Sequence, residues 1–358
     1  MTHNRRQILA NAIMASALLT VPGLTRAATA RTRAGPPLSP QPHPSQPYAP
    51  PAGPRSRLIF VNDLSGDIDG LFAAVHAILS PTSQLRAIVG TGTGRPGETA
   101  RRSTELAREI LSLMPRHAAA IAVQEGAPAK LSDIHSPIRS AGTQAIIDEA
   151  LRTDTSLPLY VAVGGGLTEV ASALLLEPRI ADRMTLVWIG GDAYPAGGTG
   201  ETNFNIDPLA AQYIFNESRV PIWQIPRAVY GTCLVSDTEI QAHVAPHGRI
   251  GAWLYARIFE AAGRFNGAIN VGETWCLGDN PLVVLTALHD WVPSVYRPTF
   301  RYERNGSSPS EEVFAPLLNR DGTFTPRTDG RKVRIFTAID NRLMLGDFFA
   351  KMQVNFPA

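Results

Sequence analysis

Three carboxylates crowd one turn of this chain: the apolar run Leu58-Ile59-Phe60-Val61 leads into Asn62-Asp63-Leu64-Ser65-Gly66-Asp67-Ile68-Asp69-Gly70, and a helical pattern follows from Leu71. Like charges held within a few ångström of one another cost free energy unless a cation neutralises them or they take up protons. A hard divalent cation is the simplest partner for oxygen donors of this kind. The competing reading is that Asp67 or Asp69 only caps the helix while Asp63 is solvated. Further segments bear on the choice. Val163-Gly164-Gly165-Gly166-Leu167-Thr168 ends another apolar run, where glycines let backbone carbonyls approach a ligand closely. Gly190-Gly191 leads through a glycine-rich loop to Asn203-Phe204-Asn205-Ile206-Asp207-Pro208. Leu277-Gly278-Asp279-Asn280-Pro281 sets another aspartate at a helix start far along the chain. Taken singly, these read equally well as tight turns or capped helix entries.

Such residues need elements that gather them. Apolar or β-branched runs at 58–62, 85–90, 120–123, 159–163, 184–189 and 221–224 alternate with helical patterns near 69–79, 98–113, 138–152, 167–176 and 207–216. That alternation predicts an α/β fold of the Rossmann-like class, a mostly parallel sheet flanked by helices. Ligands of open parallel sheets sit beyond the carboxyl ends of the strands, so the residues just after each run are the ones of interest. Residues 235–265 read as helical and irregular, and 300–332, with Asn305-Gly306-Ser307-Ser308, as hairpin or loop excursions.

Other chemistries fit less well. A phosphatase of the haloacid dehalogenase type would need a second aspartate at position 65, where this chain has serine. His243 and His247 have zinc-like spacing, but Pro246 interrupts their helix and no glutamate adjoins either. His76 lies on the run Leu71, Val75, Ile78 and Leu79 and reads as a helix-packing residue. Gly90-Thr91-Gly92-Thr93-Gly94 lacks the Gly-Lys-Ser/Thr that a phosphate cradle requires.

In their order along the chain, the glycine- and aspartate-bearing segments resemble the inosine-uridine-preferring nucleoside hydrolase family, from about Arg57 to Asp340-Asn341-Arg342-Leu343. The resemblance implies a nucleoside hydrolase fold with Ca²⁺ at the strand ends and a homo-oligomer, dimer or tetramer. It implies hydrolysis of the N-glycosidic bond of a ribonucleoside to free base and ribose. By resemblance Asp63 is both a metal ligand and the base for the attacking water. Asp67 and Asp69 cover a pair of which one binds the metal and one touches the ribose. The backbone oxygen of Gly164 and the carboxylate of Asp279 complete the protein ligands, and Asn205 matches a ribose contact. The chain also departs from the family pattern. Asp69-Gly70 stands where adjacent aspartates are common, Asn203 where a glutamate usually meets the sugar, and Thr91-Gly92-Thr93-Gly94 where an asparagine is usual. Gly278 occupies the place of a histidine that, in purine-cleaving members, is thought to protonate the departing base.

Breaking a ribosyl C–N bond passes through an oxocarbenium-like state, so the retained carboxylates suit a site that favours positive charge on the sugar. Trp188, Tyr230 or Trp275 could stack on the base, although a tryptophan in a strand is more often core. The altered sugar contacts keep a related pentoside open as substrate. They also keep open a second class, a calcium-dependent nucleoside- or sugar-binding protein without turnover.

The ends of the chain carry no chemistry of this kind. Arg5-Arg6 before an apolar run to Leu24, then Ala27-Ala28-Thr29-Ala30, predicts a twin-arginine signal peptide over residues 1–30, hence a periplasmic or secreted protein with no membrane attachment after cleavage. Residues 31–56 carry nine prolines and predict a polyproline-like tether, leaving 57–358 as the catalytic domain. Loss of Arg5, Arg6 and Arg26 would leave 30 basic against 31 acidic residues, a balance that argues against a nucleic-acid partner. Cys233 and Cys276 are too few for a disulfide framework or a cysteine zinc site; two alternatives stay open, a pair formed outside the cytoplasm or two free thiols, since twin-arginine substrates fold before export.

Overall fold

The computed structural model describes residues 48–50, 53–118, 120–198, 200–264, 272–288 and 308–358. The expected leader, most of the tether and the Asn305-Gly306-Ser307 turn lie outside the described residues. The strands are β1 (Ser56–Asn62), β2 (Ser83–Gly90), β3 (Ala122–Glu125), β4 (Leu159–Gly164), β5 (Thr185–Ile189), β6 (Ile222–Ile225), β7 (Leu234–Ser236), β8 (Thr274–Cys276), β9 (Ser310–Phe314), β10 (Leu317–Leu318), β11 (Phe324–Thr325) and β12 (Lys332–Phe336). The helices are α1 (Asp69–Ile78), α2 (Ala100–Leu113), α3 (Ala141–Leu151), α4 (Thr168–Leu176), α5 (Thr202–Ile206), α6 (Pro208–Asn216), α7 (Arg227–Tyr230), α8 (Asp237–His243), α9 (Gly248–Arg264), α10 (Pro281–Val283) and α11 (Asn341–Asn355).

An eight-stranded sheet runs in the order β3-β2-β1-β4-β5-β6-β12-β9. Its strands are parallel except β9, which lies antiparallel on β12. The mostly parallel α/β architecture is therefore as the sequence predicts. Two strands of that sheet were read as loop or not read at all. Lys332-Val333-Arg334-Ile335-Phe336 alternates polar and apolar residues, yet its parallel partner β6 ends more than a hundred residues earlier, so no local pattern announces the pairing.

β1 is buried along its whole length because its alternate side chains enter two different cores. Leu58 and Phe60 join the layer built on α1, α2, α9 and α11, whereas Ile59 and Val61 join the layer built on α3, α4 and α6. Helix entries follow ordinary capping chemistry. Thr99 accepts a hydrogen bond from Arg102 N at 3.1 Å to start α2, and Ser140 accepts from Thr143 N at 3.0 Å to start α3. The register sets Asn62 opposite Gly90 on one side and Gly164 on the other. β2 and β4 thus flank β1 with all three carboxyl ends level, and the crossovers diverge there. That is the topological switch point of a doubly wound sheet.

His76 is a buried polar residue of α1, not a surface one. Its Nε2 lies 2.8 Å from Asp347 Oδ2 on α11, and its Nδ1 lies 3.2 Å from Asn280 Nδ2. Lys351 Nζ approaches the same Asp347 oxygen and sits 2.7 Å from Ser80 Oγ. An amide donor at Nδ1 fits a neutral imidazole whose proton, on Nε2, is donated to Asp347. His243 and His247 fall on separate elements: the first ends α8 and stacks on Phe349, and the second places Nδ1 2.9 Å from Phe356 O.

Burial lowers the His76 pKa to about 4, more strongly than Asp347 raises it. The unfolded chain therefore binds a proton that the folded chain refuses between about pH 6.5 and 4, so this contribution is intact above pH 6.5 and is lost as pH falls towards 4. Relative to His76→Gln, the wild type should lose on the order of 3 kcal/mol of stability between pH 7 and 4.5. Urea unfolding at the two pH values measures it; a pH-independent difference between the two proteins would refute the assignment.

Candidate functional site

The β1–α1 connection and the turn after β8 supply the walls of one cavity of about 160 Å³ at the switch point. Asp63, Asp67, Asp69 and Asp279 all line it, with Thr93, Arg95, Asn203 and Tyr230. The tight loop is fixed by Gly66 N, which donates to Asp63 O at 2.6 Å, and by Asp63 N, which donates to Gly164 O at 3.2 Å. Asp69 is the first residue of α1, so the helix start itself aims that carboxylate. Asp279 is buried beneath the others and accepts from Asn62 Nδ2 at 2.8 Å.

The glycines of β4 are part of this geometry. A Cβ on Gly164 would stand 2.4 Å from Asn62 Nδ2 and 2.5 Å from Asp279 Oδ1, so no side chain fits there. Gly165 has φ +152°, and its carbonyl accepts from Trp188 Nε1 at 3.0 Å. Trp188 is fully buried and is a core residue that holds this turn; Trp275 is likewise buried, and of the three aromatic candidates only Tyr230 lines the cavity.

Electrostatics in the cavity are unfavourable as they stand. Burial raises the Asp63 carboxyl well above its ordinary pKa, and the charges of Asp279, Asp67 and Glu98 raise it further. Asp69 is raised in the same way, by burial and then by Asp279, Asp67 and Asp63. Asp279 is raised by burial and held back by the Asn62 hydrogen bond. Among the described residues no lysine or arginine forms an ion pair with Asp63, Asp69 or Asp279; Arg95 lies 3.9 Å from Glu98 instead.

This donor set, all carboxylate oxygens, has the chemistry of a hard divalent cation site, while the Gly164 carbonyl accepts from Asp63 N at 3.2 Å. Among the described residues no group of three or more His, Cys, Asp or Glu side chains has the geometry of a finished metal site. Asp67 turns one oxygen to Ile68 N at 2.6 Å, Asp69 turns one to Gly70 N at 2.8 Å, and Asp279 turns one to Asn62. The helix-cap reading of Asp67 and Asp69 does not hold: the N-cap position of α1 is Ile68, with no side-chain cap hydrogen bond, and both carboxylates line the cavity.

The expectation for the two asparagines needs correcting. Asn203 lines the carboxylate cavity and donates from Nδ2 to Ile189 O at 2.8 Å, whereas Asn205 is exposed and lines a neighbouring cavity with Thr91, Lys130 and Thr168. Residues two apart on α5 point to nearly opposite faces, so only one of them can meet the carboxylates. Glu201 was not anticipated. It is fully buried and accepts four hydrogen bonds: from Asn203 N (3.0 Å) and Tyr230 OH (2.7 Å) on Oε1, and from Gly191 N (2.8 Å) and Phe204 N (2.7 Å) on Oε2. A glutamate two residues before Asn203, at the entry of a short helix, was the available signal. Gly278 packs against Tyr230: a Cβ there would stand 3.1 Å from the ring and 3.2 Å from Asp69 Oδ2. Cys233 and Cys276 are both free, and Cys276 Sγ donates to Tyr230 O at 3.3 Å.

Comparison with known proteins agrees with this arrangement. The profile of the family described as "Inosine-uridine preferring nucleoside hydrolase" matches residues 58–345. A protein of that description from Crithidia fasciculata is 47% identical over 64 residues, 17% of this chain and 19% of its own length. One from Leishmania major is 49% identical over 78 residues, 21% of this chain and 24% of its own. The aligned segments thus span about a fifth to a quarter of these curated relatives. The solved purine-preferring ribonucleoside hydrolase from Gardnerella vaginalis superposes with TM-score 0.63 at 17% identity, covering 85% of this chain and 100% of that one. At that identity the likeness speaks for the fold.

The packing around Gly164 is directly testable. Gly164→Ala must push Asn62 and Asp279 apart, and overpacking of this kind costs about 1–3 kcal/mol. Thermal unfolding should show that loss, and wild-type stability would mean the strand end yields more easily than the distances imply.

Proposed function

The chain belongs to the inosine-uridine preferring nucleoside hydrolase family, and from that membership we propose that it hydrolyses the N-glycosidic bond of a ribonucleoside, or a related pentoside, to free base and sugar with the help of calcium. The observation that supports this reading is the convergence of Asp63, Asp67, Asp69 and Asp279 on one cavity at the switch point.

Calcium held by Asp63, Asp279, one of Asp67 or Asp69 and the Gly164 carbonyl would neutralise the cluster and supply a Lewis acid beside the sugar. The remaining steps belong to the chain. With the cluster's charge balanced by the cation, Asp63 would take a proton from the attacking water. The carboxylates keep a negative field facing the carbon that becomes cationic as the C–N bond breaks. Asp69 and Asn203 present hydrogen-bonding groups to the sugar, and Glu201 holds Asn203 and Tyr230 in place. The glycosidic bond electrons leave with the base, and the water oxygen ends on the sugar.

Gly278 favours keeping a second reading, a binding protein without turnover. It offers no side chain to protonate the departing base, and the Tyr230 hydroxyl proton is donated to Glu201. Residues 1–30 as a twin-arginine leader and 31–56 as a tether extend the first reading to a periplasmic or secreted scavenger, and a dimer or tetramer is the assembly proposed with it.

Reducing-sugar release from inosine, uridine and adenosine separates the two readings. Calcium-dependent release is expected, and it should stop in EDTA and return with added Ca²⁺. Calcium-dependent thermal stabilisation by ribose with no product from any nucleoside would favour the binder. Asp63→Asn should lower kcat by several orders of magnitude with the fold intact by circular dichroism. Near-normal turnover in that variant would remove Asp63 as the base. Asp279→Ala should first appear as a higher calcium requirement, so unchanged calcium dependence would exclude it as a ligand.

A further inference from the structure

Asn62 is the last residue of β1, on the face of the strand that carries Leu58 and Phe60 into the core. Its side chain is completely buried yet, among the described residues, makes a single polar contact, Nδ2 to Asp279 Oδ2 at 2.8 Å, while Oδ1 has no hydrogen-bond partner there. A buried acceptor left unsatisfied is a standing cost to the fold, set against the one bond the amide makes, to Asp279. Two glycines make room for it. A Cβ on Gly70 would lie 2.0 Å from Asn62 Oδ1, and one on Gly164 would lie 2.4 Å from Asn62 Nδ2. Three segments thus leave a slot that the Asn62 amide fills, with Asp279 at its mouth.

We infer that Asn62 is a positioning residue: its amide, seated between Gly70 and Gly164, fixes the direction of the Asp279 carboxylate and so prepares the carboxylate cavity for a divalent cation. The inference rests on the calcium reading above for the identity of the ligand, while the Asn62–Asp279 contact stands by itself. Donation to Oδ2 leaves Oδ1 of Asp279 as the oxygen available for a cation. Without the donor, Asp279 is free to rotate away from Asp63 and Asp69, whose charges repel it.

Asn62→Leu keeps the volume and removes both polar atoms. Calcium affinity, measured by isothermal titration of the full chain without substrate, should fall by at least about tenfold, the size common for partners that orient metal ligands. The rise in melting temperature on adding calcium should shrink in Asn62→Leu relative to wild type, whatever its melting temperature in EDTA, a result that a merely structural role would not give. Gly70→Ala must displace the amide and should weaken calcium binding as Asn62→Ala does. In the Asn62→Ala background, Gly70→Ala should have no further effect, because the atom it collides with is gone. Wild-type affinity in Asn62→Leu, or additive losses in the Gly70–Asn62 cycle, overturns the inference. Should the wild type itself take up no calcium, the calcium reading fails, and the same cycle scored on kcat for nucleoside hydrolysis decides whether Asn62 positions Asp279.

Discussion

Mutual repulsion among buried carboxylates is the constraint on which the rest of this structure turns. Asp63, Asp69 and Asp279 face one another at the carboxyl end of β1, and each is pushed towards protonation by burial and by its neighbours. Nothing in the local sequence makes such a cluster comfortable. It persists because the surrounding frame is rigid: β1 is paired on both sides with its last residue level with Gly90 and Gly164, and Trp188 ties down the Gly165 carbonyl from within the core. Beneath Asp279, Asn280 is linked through His76 to Asp347 and Lys351 of α11. A distant helix thereby helps hold the turn that carries the fourth carboxylate. Strain held in place by an over-determined frame is what a binding site needs, since a cation that relieves it couples binding to the stability of the whole domain.

The same frame explains what could be read from the sequence. The central strands are legible because they are buried on both faces and appear as continuous apolar runs between helical patterns. The carboxylate loop is legible because three aspartates in one turn have few structural explanations. β9 and β12 were not legible, since their pairing with the rest of the sheet is non-local and their composition is that of a surface hairpin. β8, which delivers Asp279, is a three-residue strand paired, among the described residues, with β7 alone, too short to give a periodic signal.

Within the site, legibility divides along the same line. Charged residues at strand ends were found, and their convergence could be expected from topology alone. Asn203 was identified as a site position but assigned the lesser match, because choosing between it and Asn205 requires the phase of a five-residue helix. Glu201 was missed because a glutamate at a helix entry looks like a cap, which it also is: Oε1 and Oε2 accept from Asn203 N and Phe204 N. Asn62 was missed because a strand-end asparagine is unremarkable until the absence of side chains at positions 70 and 164 is seen in three dimensions.

The distribution of proton donors bears on how the proposed reaction divides its effort. Gly278 brings no acid to the leaving-group side, and the Tyr230 hydroxyl, itself raised in pKa by burial and by Glu201, is occupied as a donor to that carboxylate. The same cavity is crowded with negative charge, Asp69 Oδ2 lying 3.2 Å from where a Cβ on Gly278 would stand. A site built this way lowers the barrier by stabilising positive charge on the sugar more than by activating the base. Its rate would then rise steeply as the leaving base becomes less basic, and sugar contacts, not contacts to the base, would carry most of the discrimination between transition state and ground state. The carboxylates around the end of β1 are consequently both a feature that strains the fold and the feature on which the proposed turnover would depend.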